Sequence, residues 1–271
     1  MAKPEEGQYL DVDGIKTFYI KKGKGHPLLL IHGGAPGVCT FVSWRRNIDY
    51  FAESGFTVYA FDQPGYGYTD NPKDFSMDYR YTHAQAFVGK LHLDQFHIIA
   101  NSQGAYMAGK IALRDHRARR LIFTASGTVA PRGSEESQAQ AKRHGQELRK
   151  YTPSLENIRT MTMKTLFHKE LVDEELVQLR YEMSTGKYYE AQLKRQEAPP
   201  PKPITEELRN LIAKTLLFWR KNDQGVALER GLLLFQLLPD AELHVFDQCG
   251  HWSQWDQTAR FHSIVSDFLN N

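Results

Sequence analysis

Cysteine is nearly absent: the 271-residue chain holds only Cys39 and Cys249. Two cysteines make no disulfide framework, and a chain of this length buries a core that needs none. The pair fits a reducing compartment. An excess of one charge is missing as well. The chain has 34 Lys and Arg against 32 Asp and Glu, a formal net charge of +2. That balance excludes binding driven by a basic surface, so no nucleic-acid partner is expected. Arg117, Arg119 and Arg120 cluster in sequence and read as a solvated turn. Long hydrophobic runs are also lacking. The longest aliphatic run, Leu28 to Ile31, falls far short of the roughly 20 apolar residues a membrane helix needs. No membrane partner is expected. Met1 to Gly7 has no apolar stretch behind its positive charge, unlike a secretory signal, and the expected location is the cytoplasm. There is no internal repeat, and the one biased stretch is proline-rich, Ala198 to Pro203.

Hydrophobic residues make up 41% of the chain and charged residues 24%, the balance of a folded globular protein. Tyr9 to Val12 and Thr17 to Lys21 flank Asp13-Gly14 and predict a β-hairpin. Pro27 to Ile31 is a continuous apolar run, as in a strand buried on both faces. It is followed by a helical stretch at Ser43 to Phe51 and a strand at Phe56 to Phe61. The alternation continues with helices at Tyr81 to Leu91 and Gln103 to Leu113, and strands at Phe96 to Ala100 and Leu121 to Ala125. It resumes late in the chain with strands at Thr215 to Trp219 and Glu242 to Phe246, and helices at Val226 to Leu237 and Thr258 to Leu269. Such alternation predicts an α/β fold, a mostly parallel sheet with helices on both faces.

Between about Pro131 and Thr205 the buried strands vanish. Amphipathic helical stretches such as Leu155 to Phe167 and Leu171 to Tyr181 replace them. This predicts a helical lid inserted between two strands, over the carboxyl ends where open α/β sheets bind ligands. The expected division is a core at 1–130, the lid at 131–205 and the rest of the core at 206–271. The proline-rich stretch Pro199 to Pro203 marks the return to the core.

Chemistry concentrates at four strand ends. Ile98-Ile99-Ala100-Asn101-Ser102-Gln103-Gly104 runs from an apolar strand into a helix through a serine with small residues two before and two after. A sharp strand-to-helix turn needs small neighbours and presents the hydroxyl above the sheet. Ala100 stands where the Gly-x-Ser-x-Gly pattern has its first glycine, and taken alone Ser102 also reads as a helix N-cap. His251, in Cys249-Gly250-His251-Trp252, follows the last strand, where an imidazole can take and return the serine proton. Asp223 follows the strand Thr215 to Trp219, where a carboxylate would orient that imidazole. Asp247 is a rival acid but shares the short loop of His251. The order Ser102, Asp223, His251 is the one expected of α/β hydrolases. His32-Gly33-Gly34-Ala35-Pro36-Gly37 is a glycine-rich loop after a buried strand. Its backbone N–H groups near Gly34, with that of Gln103, can form an oxyanion hole. No phosphate-loop pattern is present.

These motifs, with the tail Gly250-His251-Trp252-Ser253-Gln254-Trp255-Asp256, resemble the meta-cleavage-product hydrolases, the carbon–carbon bond hydrolases of bacterial aromatic degradation. The resemblance spans nearly the whole chain and is most specific in its C-terminal part. It implies a 2-hydroxy-6-oxo-hexa-2,4-dienoate substrate, whose carboxylate a lid arginine grips by paired hydrogen bonds. Leu171 to Glu182 matches that lid segment and places Arg180 in the role. Asn101, Trp252, Ser43, Gly33 and Ala35 fall at substrate-binding positions. The family often has asparagine at Ser43, a glycine at Ala35, and Trp-Gly-Arg where this chain has Trp219-Arg220-Lys221. The implied route is ketonisation of the dienol with help from His251, attack of Ser102 on the C6 ketone, bond cleavage and release of the acid by water. No metal or organic cofactor is implied, and a homo-oligomer, a dimer first, is expected. The same triad would serve a carboxylesterase or lactonase, and the fold also carries non-catalytic ligand-binding proteins. The lid aromatics and methionines, Phe167, Tyr181, Tyr188, Tyr189, Met161, Met163 and Met183, read as packing more than as pocket lining.

Overall fold

The computed structural model describes residues 6–221 and 223–271. The reading of the N-terminus before Glu6 and of Asn222 lies outside the described residues. An eight-stranded sheet runs in the order β1 (Gly7–Val12), β2 (Ile15–Lys22), β4 (Phe56–Phe61), β3 (His26–Ile31), β5 (Phe96–Asn101), β6 (Ala118–Thr124), β7 (Lys214–Arg220) and β8 (Ala241–Phe246). Strands β3 to β8 pair in parallel, while β1 and β2 are antiparallel. The predicted hairpin closes through Asp13 and Gly14, both at positive φ of 53° and 84°, a turn whose twist matches that of its strands.

The central strands are apolar on both faces because both are covered. Successive residues point to opposite sides of the sheet. Leu29, Ile31, Ile98 and Leu217 therefore join one core with α3 (Met77–Lys90), α4 (Gly104–Arg114) and α9 (Leu228–Leu237). Leu28, Leu30, Ile99 and Phe218 join the other with α2 (Ile48–Glu53) and α11 (Thr258–Asn270).

Two local expectations are corrected. The helix expected at Ser43 to Phe51 is split into α1 (Thr40–Trp44) and α2. The break falls where Arg45 turns to Glu175 at 2.9 Å and Asn47 Nδ2 donates to the Gln254 carbonyl at 3.1 Å, contacts that a window of local sequence cannot contain. The basic cluster is a turn only in part: Arg117 lies in the turn that enters β6 and is held by Asp115 at 2.7 Å, while Arg119 and Arg120 lie in β6.

Between β6 and β7 the chain forms α5 (Glu135–Arg149), α6 (Leu155–Thr165), α7 (Glu174–Glu182) and α8 (Lys187–Glu197). Serine or aspartate caps open three of these: Ser134, Ser154 and Asp173 each accept a backbone N–H of the first turn, which satisfies a donor the helix cannot. The helix α10 (Ser253–Asp256) follows the loop of His251.

Candidate active site

Ser102 stands between the end of β5 and the start of α4, with φ of 52°. A non-glycine residue in that left-handed region costs free energy and persists only where the surroundings impose it. Here its N–H donates to the Thr124 carbonyl at 3.0 Å and its carbonyl accepts from Ala105 N at 3.1 Å. The small residues around it have distinct reasons. A Cβ on Gly104 would come within 2.6 Å of the Ile31 carbonyl oxygen and 2.7 Å of that of His32, so α4 can cross β3 only with glycine there. Ala100 is fully buried in β5, and its methyl fits where the general pattern has glycine.

The opposite wall is built by β7 and β8. His251 Nδ1 lies 3.0 Å from Asp223 Oδ2. The other carboxylate oxygen of Asp223 accepts from Gly225 N at 2.7 Å and Val226 N at 3.0 Å. Burial pushes the Asp223 carboxyl up, but Arg220, then His251 and the Gly225 N–H, together hold it well below the ordinary carboxylate range. It is therefore ionised at neutral pH. Asp247, the rival acid, is more than half exposed and sits 3.9 Å from Lys221.

A cavity of about 610 Å³ joins these walls. Ser102, Gln103, Gly34, Ala35, Asp223, His251 and Trp252 line it. Gln103 caps α4, so its N–H belongs to the positive end of an eleven-residue helix. Gly34 lies close against the Gln103 side chain: a Cβ there would stand 2.0 Å from Gln103 Oε1, an oxygen that Arg80 holds at 3.1 Å. Behind this pair runs a braced network. The buried His32 accepts from Gln63 N through Nε2 at 3.1 Å and donates from Nδ1 to the Gly33 carbonyl at 2.7 Å. Arg80 donates to Gln63 Oε1 at 3.0 Å and to Gln103 Oε1 at 3.1 Å. Burial pushes the His32 imidazole down to about 3, so it stays neutral and keeps this tautomer. The arrangement can move a proton between a hydroxyl and an imidazole held by a carboxylate, and can hold negative charge on an oxygen between two backbone amides.

The sequence profile of the alpha/beta hydrolase fold family matches residues 26–258. The chain is 33% identical over 276 residues to a 2-hydroxymuconate semialdehyde hydrolase of Pseudomonas sp. strain CF600, covering 98% of this chain and 94% of that one. It is 30% identical to a 2-hydroxy-6-oxo-2,4-heptadienoate hydrolase of Pseudomonas putida, covering 98% and 96%. A solved meta-cleavage product hydrolase of Pseudomonas fluorescens IP01, complexed with acetates, superposes with a TM-score of 0.85 at 32% identity over 98% of each chain. The chain belongs to the meta-cleavage-product hydrolases of the α/β-hydrolase fold.

The remaining positions that the family resemblance pointed to stand outside this cavity wall. Asn101 is buried and donates to Thr124 Oγ1 at 2.6 Å. The carbonyl of Ser43 accepts from Trp255 Nε1 at 3.1 Å, while its buried hydroxyl has no partner. Gly33 packs against Asn101 and Ser102, with a Cβ position 3.1 Å from Asn101 Oδ1. Arg180 is fully buried, donates to Thr162 Oγ1 and the Pro36 carbonyl at 2.9 Å each, and leaves Nε unpaired. No carboxylate lies within ion-pair distance of it among the described residues, and burial pulls its guanidinium down to about 10, still protonated at neutral pH. Its guanidinium stands 5.0 Å over the ring of Trp252, which does line the cavity.

Several features of this hydrolase site were not singled out in the sequence. His144 of α5 lines the cavity with its ring 6.4 Å from that of His251. Asp256 accepts from the N–H groups of Gly250, Phe167 and His168. It ties the His251 loop to the segment after α6. Arg220 stood out only as a departure from Trp-Gly-Arg, and its charge at a glycine position was the available signal. Of the methionines and aromatics between β6 and β7, Tyr151, Met161 and Phe167 line the cavity, while Met183 is buried in packing and Met163 is exposed.

Proposed function

We propose that the protein hydrolyses a carbon–carbon bond in a 2-hydroxy-6-oxo-hexa-2,4-dienoate, giving 2-hydroxypenta-2,4-dienoate and a carboxylic acid. The observation that carries this reading is the convergence on one cavity of Ser102 in its strained turn and of His251 held by Asp223 at 3.0 Å. The names of the relatives supply the substrate class. Ser102 is the nucleophile, His251 the base and acid, and Asp223 the carboxylate that orients the ring and stabilises its protonated form. The N–H groups of Gly34 and Gln103 hold the C6 oxyanion. The dienol first ketonises, moving its hydroxyl proton to carbon, which makes the departing fragment a stabilised carbanion. Ser102 adds to C6 as its proton passes to His251, the C5–C6 bond breaks, and its electron pair runs through the enone to the C2 oxygen, which takes up a proton to give the dienol product. Water, deprotonated by His251, then releases the acid from Ser102. Trp252 and Ala35 border the substrate, with Gly33, Ser43 and Asn101 behind them.

Arg180 is the cation for the substrate carboxylate. A buried guanidinium without a carboxylate favours an anionic ligand, because ordinary protein carbonyls leave its charge uncompensated. Residues 131–205 act as a lid that admits the dienoate and closes over the cavity. The chain is read as a homo-oligomer, a dimer first, in the cytoplasm. The two free, buried cysteines suit a reducing compartment, and among the described residues no helix is long and apolar enough to cross a membrane.

The test uses ring-fission products made from several catechols. Wild-type enzyme is expected to bleach their visible absorbance, and Ser102→Ala to abolish the bleaching. Turnover of simple aryl esters with no turnover of any dienol would overturn the reading in favour of an esterase.

A further inference from the structure

Gly34 supplies one half of the oxyanion hole, yet glycine is a loose place to keep a fixed donor. A Cβ at this position would stand 2.0 Å from Gln103 Oε1. Without one, φ and ψ of the residue range widely. Groups outside the loop have to set them.

A trans peptide points its C=O and its N–H in opposite directions. The peptide before Gly34 is pinned by His32, whose Nδ1 donates to the Gly33 carbonyl at 2.7 Å. The N–H of that peptide belongs to Gly34. It is directed away from His32 and has no protein partner among the described residues. The peptide after Gly34 is pinned by Tyr66, whose hydroxyl donates to the Gly34 carbonyl at 3.2 Å. With both planes held, the dihedral angles between them are fixed.

Tyr66 is held in turn. Gln63-Pro64-Gly65-Tyr66 forms a turn just after β4: Tyr66 N donates to the Gln63 carbonyl at 3.0 Å, and Gly65 has φ of 78°. Proline second and glycine third at positive φ are what a type II turn favours. Arg80 of α3 reaches the Tyr66 hydroxyl at 3.5 Å and stands 5.5 Å over the ring. A guanidinium can only donate, so the hydroxyl proton is left for the Gly34 carbonyl. The other hold comes from α8, the last helix between β6 and β7. Arg195 Nη1 donates to the Gly65 carbonyl at 2.6 Å, and its guanidinium lies 3.8 Å over the Tyr66 ring, where the face of the ring attracts a cation. Among the described residues this is the one side-chain hydrogen bond that α8 makes to the sheet domain.

We propose that Tyr66 is a positioning residue for the oxyanion hole, and that Arg195 of α8 holds it there, so that the helices above the cavity and the Gly34 peptide are set together. A donor fixed before charge develops is what stabilises an oxyanion. Displacing α8 would loosen Tyr66 and, through it, the Gly34 N–H. The inference rests on the triad and oxyanion reading above.

The experiment measures kcat and KM of Tyr66→Phe, Arg195→Met and the double variant, each on a ring-fission dienol and on a neutral aryl ester. Loss of a whole oxyanion donor costs about 100-fold or more, so a donor that is kept but loosened should cost about 10-fold. Tyr66→Phe and Arg195→Met are each expected to lose about that much in kcat, with KM nearly unchanged and the same loss on both substrates. Arg195→Met should add nothing in the Tyr66→Phe background, because the hydroxyl it aims is gone. Arg195→Gln, which keeps a donor for Gly65 but takes the cation off the ring, carries the same expectation if Arg195→Met does not fold. Losses that multiply in the double variant, or wild-type kcat in a folded Tyr66→Phe, would overturn the inference. The expected losses on the ester alone, with no dienol turned over by any form, would sink the dienoate reading and support this one. Full turnover by Ser102→Ala would bring down the triad reading, and this inference with it.

Discussion

At the scale of single residues, the proposed mechanism separates groups that do chemistry from a group that holds an anion, and the two can be measured apart. In that proposal Ser102, His251 and Asp223 act on any acyl group, whereas the Arg180 guanidinium acts only on a substrate with a carboxylate. Arg180→Gln keeps hydrogen-bonding capacity toward Thr162 and Pro36 but removes the charge. A pair of charge-assisted hydrogen bonds is worth about 3 kcal/mol beyond water, so dienoate kcat/KM should fall on the order of 100-fold. Neutral aryl esters should be hydrolysed at nearly the wild-type rate. Equal losses on both substrates would remove Arg180 from the carboxylate role and leave it as a packing residue of α7. Serine alone was the weakest part of the sequence case, because Ser102 also reads as an N-cap. Its positive φ, which no side-chain pattern encodes directly, is what separates it from an ordinary helix start.

At the scale of elements, the loop of His251 and the segment after α6 are built as one unit. His251 N donates to the Thr165 carbonyl at 2.6 Å, and Asp256 closes the same junction through three backbone N–H groups. Gly250 lies in the seam. A Cβ there would stand 2.3 Å from Thr165 O and 2.8 Å from Phe167 N, backbone atoms that cannot swing aside as a flexible side chain would. Gly250→Ala should therefore push the loop of His251 away from α6. A displacement of about 1 Å at a reacting group can cost on the order of 100-fold in rate, and overpacking of this kind typically costs about 1–3 kcal/mol. Steady-state kinetics on a dienol and a thermal melt check both; wild-type kinetics in Gly250→Ala would show that the seam is not under that constraint. The strands were legible in sequence because each central one is an apolar run between loops. The split between α1 and α2 was not, since Arg45 and Asn47 answer to Glu175 and Gln254, far along the chain.

At the scale of the whole molecule, stability should fall in mild acid. Burial pushes the imidazoles of His32 and His97 down to about 3, and those of His83 and His262 to about 4. An unfolded histidine takes up a proton near pH ~6.5, so the folded state gains relative stability from these groups above that pH. The gain is lost as pH falls from about 6.5 toward 4. His32 and His83 each account for up to about 1.4 kcal/mol per pH unit in that window. Asp62 works the other way, because burial pushes its carboxyl up to about 6 and its penalty is relieved in acid. Four histidines outweigh one aspartate, so melting temperature should drop steadily between pH 6.5 and 4.5. His83→Gln should flatten part of that slope; a melting temperature constant over the window would contradict the buried neutral histidines.

The sequence by itself determined the α/β alternation, the chain order of Ser102, Asp223 and His251, and the family, since each of these is written in local runs or short motifs. Hydrophobic periodicity and the residues flanking a turn are enough for that, because backbone sterics and burial act over a few neighbours. Only the tertiary structure decided what surrounds Ser102, Asp223 and His251. Arg220 lies three residues before Asp223, yet it also meets His251, on another strand end, at 3.0 Å. The neutral His32 under the oxyanion loop and the Asp256 clasp are of the same kind. Electrostatic and hydrogen-bond effects depend on distance in space and on exclusion of water, and both are properties of the folded chain.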